Sequence, residues 1–220
     1  IGNARTEKTD DLMRAMGNFV NTIGGKYISA EDSGTSVSDL KVMGERTEFV
    51  AGVKNTFKYD GSPSDGNPSP STAYGVFVGL KATAERKFGK GLDGMTVAVQ
   101  GLGAVGYNLA ELLHAEGAKL VVADIYEDSL AKAESELNAT IVSPDEILGQ
   151  NVDVFAPCAL GAIINDISLK DLKAPVVAGA ANNVLADPHH GEELRKRGIL
   201  YAPDYVINAG GIIDIYYQRN

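Results

Sequence analysis

The stretch from Val97 to Asp124 limits what this chain can fold into more than any other. An apolar run at 97–100 meets Gly101-x-Gly103-x-x-Gly106, then a helix-compatible stretch, a second apolar run, and Asp124, 23 residues after Gly101. A strand that turns tightly into a helix leaves the first helical N–H groups unpaired and aimed at one spot, at the positive end of the helix dipole. Each glycine then has a separate task. Gly101 makes the turn, Gly103 lets the backbone approach a pyrophosphate, and Gly106 lets helix and strand pack closely, so that Ala104 and Val105 also face the phosphates. Asp124, at the end of the second strand, can accept from an adenosine ribose 2′-hydroxyl and would repel a 2′-phosphate. Ile125 and Tyr126 add no positive charge beside it. The pattern predicts a dinucleotide fold and favours NAD over NADP.

Alternating signals continue on both sides. Strands are expected at 96–100, 119–123, 140–142, 152–155, 175–178 and 199–201, and helices at 72–87, 104–116, 127–137, 166–172, 189–197 and 207–217. Short Val/Ile-rich runs separated by helical stretches imply βαβ units. The expected fold class is therefore α/β, a Rossmann-type doubly wound and mostly parallel sheet, with part of a second, substrate-binding α/β domain ahead of it. In that earlier part, residues 9–23 have helical periodicity with Thr9 or Asp10 as cap. Tyr27–Ala30 suggests a short strand, Ser36 or Ser38 caps a helix, and 52–70 has the composition of a loop. The domain boundaries expected are 1–66 for a substrate-domain remnant, 67–207 for the dinucleotide-binding domain and 208–220 for the start of a returning helix.

Composition narrows the partners. A net charge of −9 argues against nucleic acid and anionic membrane surfaces. The single cysteine, Cys158, rules out an intrachain disulfide framework and suits a reducing cytoplasm. No apolar stretch reaches membrane-spanning length and no secretory signal is visible. The chain starts at Ile1 and stops inside an apolar-periodic pattern, as a piece of a longer polypeptide would.

In a doubly wound sheet, ligands bind beyond the carboxyl ends of the strands. Three further strand ends should line the same crevice: Ala156-Pro157-Cys158-Ala159-Leu160-Gly161, Gly179-Ala180-Ala181-Asn182-Asn183, and Ala202–Gly211. Asn182 and Asn208 could hold a nicotinamide carboxamide or ribose, since an amide both donates and accepts. The plainer alternative is that Asn and Gly simply make turns there. Cys158 has no histidine partner in sequence and suits a buried thiol better than a nucleophile. His114 suits a surface or interface position. His189 and His190 are adjacent, a spacing that by itself offers no shared coordination face, so no metal is expected.

Four long segments then point in one direction: Tyr27-Ile-Ser-Ala-Glu-Asp-Ser-Gly-Thr35, Gly66-Asn-Pro-Ser-Pro-Ser-Thr-Ala-Tyr-Gly-Val76, Ala156-Pro-Cys-Ala-Leu-Gly161 and Ala202-Pro-Asp-Tyr-Val-Ile-Asn-Ala-Gly-Gly211. They resemble, in register along essentially the whole chain, the glutamate/leucine/phenylalanine/valine dehydrogenase family. The resemblance implies reversible NAD-dependent oxidative deamination of an L-amino acid to a 2-oxo acid and ammonia, by a homo-oligomer. It implies that Asp32 is the catalytic aspartate and that Thr72 contacts the nicotinamide end of the cofactor. Beside them it sets Cys158, Ala159, Asn182 and Asn208 in the cofactor site. Ala30, Ile212 and Ile215 match substrate-pocket positions, and their aliphatic character suits a branched-chain amino acid.

The match also has gaps. Two lysines of the family lie upstream of Ile1-Gly2, one in a Gly-Gly-Gly-Lys motif, and the helices that follow residue 220 in relatives are absent. Lys26, after Gly24-Gly25, and Lys8 are expected to be surface charges rather than substitutes. Ala104 stands where asparagine is usual, and Asp214 likewise. A non-catalytic NAD-binding module and a Rossmann dehydrogenase of another substrate class are the rival readings; the Asp32 and Asn208 contexts argue against the latter.

Overall fold

A computed structural model describes residues 3, 4 and 6–219. Ile1 and Gly2, which the resemblance aligns just after the lysine motif, lie outside the described residues. The chain divides into two compact units, one of Ile1–Ser71 with Gly211–Asn220 and one of Thr72–Gly210.

The first unit is built on two helices. Helix α1 (Asp10–Thr22) is capped by the Thr9 hydroxyl, which accepts from the Leu12 amide, and it buries Met13 and Val20. Helix α2 (Val37–Gly44) has a reciprocal capping box between Ser36 and Asp39 and buries Leu40 and Met43. The helices approach closely at Gly17, where a Cβ would come 2.5 Å from the Met43 carbonyl oxygen. No strand forms at 27–30; Ser29 makes only an isolated bridge to Val50. The segment expected to be a loop holds instead a small hairpin, β1 (Thr56–Phe57) and β2 (Pro63–Ser64). Its turn is set by Asp60, whose carboxylate accepts from the Ser62 amide, and by Gly61 at φ +82°.

The second unit is a parallel sheet with helices on both faces. Helix α3 (Ser69–Phe88) leads into β3 (Thr96–Gln100), α4 (Ala104–Ala115), β4 (Lys119–Ala123), α5 (Glu127–Leu137) and β5 (Thr140–Ile141). The chain then returns to β6 (Val154–Pro157), β7 (Val176–Val177), α6 (His189–Lys196) and β8 (Leu200–Tyr201). The order β5-β4-β3-β6-β7-β8 is doubly wound, and its direction reverses between β3 and β6. Side chains alternate across the sheet. Val97, Val99, Leu120, Val122, Val154 and Ala156 pack on one face with Val76 and Leu80 of α3 and Leu109 and Leu113 of α4. Ala98, Phe155 and Val177 pack on the other with Ile147, Ile164, Leu172 and Leu194. Both faces are covered, which is why the strands are continuous apolar runs.

Two expected helices differ. The one at 166–172 is only a 3₁₀ turn, Ser168–Lys170, whose start is held by the Asn165 side-chain oxygen accepting from the amides of Ile167 and Ser168. The one at 207–217 breaks at Asn208-Ala209 into α7 (Asp204–Ile207) and α8 (Gly210–Arg219). Among the described residues no helix is long and apolar enough to cross a membrane.

Candidate functional site

The strand, the turn and the helix meet at Gly101. Its φ is +94°, and a Cβ there would lie 2.9 Å from the Ala159 nitrogen. Gly106 is more crowded, since a Cβ would fall 1.9 Å from the Gly101 carbonyl oxygen. Around Gly103 there is open space. Gly103 caps α4 without any side-chain hydrogen bond, and both Gly103 and Ala104 are exposed. The first N–H groups of α4 therefore point into open space with no competing acceptor from a cap, the arrangement that a phosphate oxygen fits.

Asp124 is tied into the turn. One carboxylate oxygen accepts from the Leu102 amide at 2.5 Å and the other from the Tyr126 amide at 2.9 Å. A charge-assisted bond of this kind contributes ~1.5–3 kcal/mol, so Asp124 holds the shape of the glycine turn. Each oxygen keeps a second lone pair that a sugar hydroxyl can use.

The other strand ends come together beyond the sheet. Ala159 lies over Gly101 and is exposed. A Cβ at Gly161 would lie 2.4 Å from the Asn182 carbonyl oxygen. The Asn208 amide group donates to the Asn182 side-chain oxygen at 2.6 Å and to the Ala180 carbonyl at 3.2 Å. Asn182 and Asn208 are thus one hydrogen-bonded pair, placed at the junction where the expected long helix divides into two. Thr72 sits in the first turn of α3, partly exposed. Cys158 differs from the other residues of this set. Its Cβ lies 3.1 Å from where a Gly106 Cβ would be, and burial pushes its thiol up to about 12. The residue is half-buried, and its side chain packs beneath the turn.

In the first unit, Asp32 is exposed at the start of a tight turn. Its carboxylate accepts from the Ser33 amide at 2.7 Å, and its carbonyl accepts from the Thr35 hydroxyl at 2.9 Å. Neighbouring Glu31 was missed in the sequence. One of its carboxylate oxygens is buried with no hydrogen-bond partner, and burial, then Asp65 and Asp32, raise its pKa. A carboxylate beside another in a Glu-Asp pair is the signal that could have found it. Ala30 is half-buried, Ile212 is exposed, and Ile215 approaches Gly52. Asp214 accepts from the Ser71 hydroxyl at 3.0 Å, which gives the acid at this position a partner. Lys26 is exposed, but Lys8 is not a plain surface charge. Its ammonium lies 2.5 Å from Asp39 and donates to the Gly34 carbonyl at 3.1 Å, bracing the Asp32–Thr35 turn.

His114 is exposed on α4. The adjacent pair His189-His190 does gain a third neighbour, because folding brings Asp166 against both rings. Spacing along the chain could not show a group that lies more than 20 residues away.

The sequence matches the profile of the glutamate/leucine/phenylalanine/valine dehydrogenase family over residues 65–126 and 122–218. It is 49% identical over 216 residues to leucine dehydrogenase of Bacillus subtilis (strain 168), an alignment covering 98% of this chain and 58% of that protein. It is 46% identical over 213 residues to L-tryptophan dehydrogenase of Nostoc punctiforme, covering 96% of this chain and 58% of that one. A crystal structure of L-tryptophan dehydrogenase from Nostoc punctiforme superposes with a TM-score of 0.72 at 42% identity, over 99% of this chain and 60% of that one. The chain thus spans less than two thirds of the length of these relatives.

Proposed function

Because the chain belongs to the glutamate/leucine/phenylalanine/valine dehydrogenase family, we propose that it serves NAD-dependent, reversible oxidative deamination of an L-amino acid to the 2-oxo acid and ammonia. The uncapped start of α4 behind the Gly101 turn carries this reading. Bound NAD supplies the acceptor for the hydride that leaves the substrate Cα. The amides of Gly103, Ala104, Val105 and Gly106 hold its diphosphate, Asp124 takes the adenosine ribose, and the Asn182–Asn208 pair with Ala159 and Thr72 orients its other end. Asp32 takes a proton from the substrate amino group and returns protons as water adds to the imine and ammonia leaves, a role open to an exposed carboxylate. Cys158 acts only by packing.

Residues 1–66 and 208–220 belong in this reading to the substrate-binding part and 67–207 to the NAD-binding part. Ala30, Ile212 and Ile215 favour a branched aliphatic side chain, with leucine as the reference substrate. Each methylene in such a pocket is worth only ~1–3 kcal/mol, so the relatives that act on leucine and on tryptophan are compatible with one scaffold. The working protein is a cytoplasmic homo-oligomer with no nucleic-acid or membrane partner, in keeping with a net charge of −9.

The test is NADH formation from leucine, valine, phenylalanine and tryptophan by the purified protein and by Asp32→Asn. The substitution should lower kcat roughly 10²- to 10⁴-fold, the usual span for a lost acid/base group, with NAD affinity unchanged. A variant retaining most of the activity would remove Asp32 from the chemistry. A kcat/KM higher for phenylalanine or tryptophan than for leucine would overturn the substrate preference.

A further inference from the structure

Beyond β6 and β7 the chain builds a small structure of its own. Ala162 donates to Asn183 at 2.7 Å, Ile164 to Val184 at 3.0 Å, and Ala186 to Ile164 at 2.9 Å, around the parallel bridge of Ile164 and Leu185. This register carries Asp166 across to Asp187 and the first residues of α6. Both imidazole rings there turn toward one atom. His189 Nε2 lies 3.4 Å and His190 Nε2 3.2 Å from the same carboxylate oxygen of Asp166, and the ring centroids are 3.9 Å apart. The far sides of the rings rest on a single residue. His189 Nδ1 is 2.7 Å from the Asp187 carboxylate, and His190 Nδ1 is 3.1 Å from the Asp187 carbonyl oxygen.

Metal-bound histidines characteristically donate the N–H that faces away from the metal to a carboxylate or a backbone carbonyl. Asp187 supplies one acceptor of each kind. In the tautomer with both Nδ1 atoms donating to it, both Nε2 lone pairs face Asp166 and converge with its carboxylate oxygen on one point, where a cation can take all three. Tetrahedral zinc with bonds of ~2.0–2.1 Å places neighbouring donors roughly 3.3 Å apart, close to the two separations seen. We propose that Asp166, His189 and His190 form a zinc site, with water in the fourth position.

The donor set of two imidazoles and one carboxylate selects zinc over calcium or magnesium, which prefer oxygen donors. The three donor atoms all lie within 4.8 Å of one another. His190 is buried and sets the anchor, whereas Asp166 and His189 are exposed enough to adjust onto the ion. The start of α6 is the positive end of its dipole and opposes a cation; the Asp166 and Asp187 carboxylates outweigh it. Without metal, the Asp187 amide, 3.1 Å from His190 Nδ1, can donate to that nitrogen and leave the proton on Nε2. One ring flipping its tautomer thus serves both states. Since the ligands come together only in the folded chain, zinc binding adds to folding stability and pins the loop after β6 to the segment after β7.

The experiment uses protein free of any polyhistidine tag, stripped with a chelator, and titrated with Co²⁺ and with Zn²⁺. Co²⁺ should develop the visible bands of a nitrogen-containing four- or five-coordinate site, saturating at one equivalent, and Zn²⁺ should raise Tm and displace it. Asp166→Asn and His189→Gln, both at exposed positions, should match the parent Tm in chelator yet lose at least about tenfold in metal affinity. His114→Gln should change neither. A Tm increase that persists undiminished in both cluster variants would overturn the assignment, as would an absence of uptake at submillimolar metal.

Discussion

A methyl group placed at Gly103 or at Gly106 separates cofactor binding from folding. In Gly106→Ala the new carbon would stand 1.9 Å from the Gly101 carbonyl oxygen, so turn and helix must part by more than an ångström. Overpacking of this kind typically costs about 1–3 kcal/mol, which for a chain of this size lowers Tm by roughly 2–12 °C. Gly103→Ala meets nothing within 4 Å, and Gly103 has φ −69° and ψ −170°, open to any residue. Alanine is a poorer cap than glycine by a few tenths of a kcal/mol or somewhat more, and its smaller unfolded-state entropy returns ~0.4–1 kcal/mol. These terms nearly cancel, so Tm should stay within about 2 °C of the parent. The methyl does occupy the space a diphosphate needs. Losing one phosphate–amide bond, at ~1.5–3 kcal/mol, weakens NAD roughly ten- to a hundredfold. Scanning calorimetry and titration calorimetry with NAD read the two effects separately. Gly103→Ala binding NAD as tightly as the parent would refute the placement of the diphosphate, and a large Tm loss in it would refute the packing argument.

Three further outcomes follow from single residues. Asp124→Asn leaves one oxygen for the two amides that Asp124 holds, so Tm should fall, while the preference for NAD over NADP should fall at least about tenfold in paired titrations; an unchanged ratio would remove Asp124 from cofactor choice. Cys158, with its thiol pushed up to about 12, should react with iodoacetamide near neutral pH on the order of a thousandfold more slowly folded than unfolded, as followed by mass spectrometry; comparable rates would show the thiol open. Glu31 binds its proton more tightly folded than unfolded, so its contribution to stability is full below the unfolded pKa and is lost as pH rises through the folded one. Glu31→Gln should therefore gain Tm over the parent at about pH 7.5 and gain nothing near pH 4; a gain that did not depend on pH would contradict the burial argument.

Boundaries were legible for some strands and not for others: β6, buried along its whole length, runs over Val154–Pro157, two residues past the expected 152–155, because its ladder with β3 extends through Pro157. β3, β4 and α5 fall on the residues the sequence indicated, 96–100, 119–123 and 127–137. The glycine turn was legible too, since φ +94° at Gly101 and the crowding at Gly106 are demands only glycine meets. The misjudged places share one cause. Tyr27–Ala30 is rich in strand-forming residues but gains a single bridge at Ser29, for propensity does not supply a partner strand. The break between α7 and α8 falls at Asn208, whose amide finds Asn182 and Ala180, and the 56–64 hairpin depends on Asp60 and Gly61 in a segment whose composition suggested only a loop.

Local order along the chain was enough to determine the parallel sheet, its winding and the phosphate-ready end of α4, because backbone conformation and side-chain burial are set by neighbours a few residues apart. Only the folded molecule decided what individual polar groups do. Asp124 locks the Leu102 amide from the neighbouring strand, Asp214 takes the Ser71 hydroxyl across 143 positions, and Asp166 meets His189 and His190 at the start of α6. Those pairings arise where crossovers bring distant segments within 3.5 Å, and no period in the sequence records which distant residue will be there.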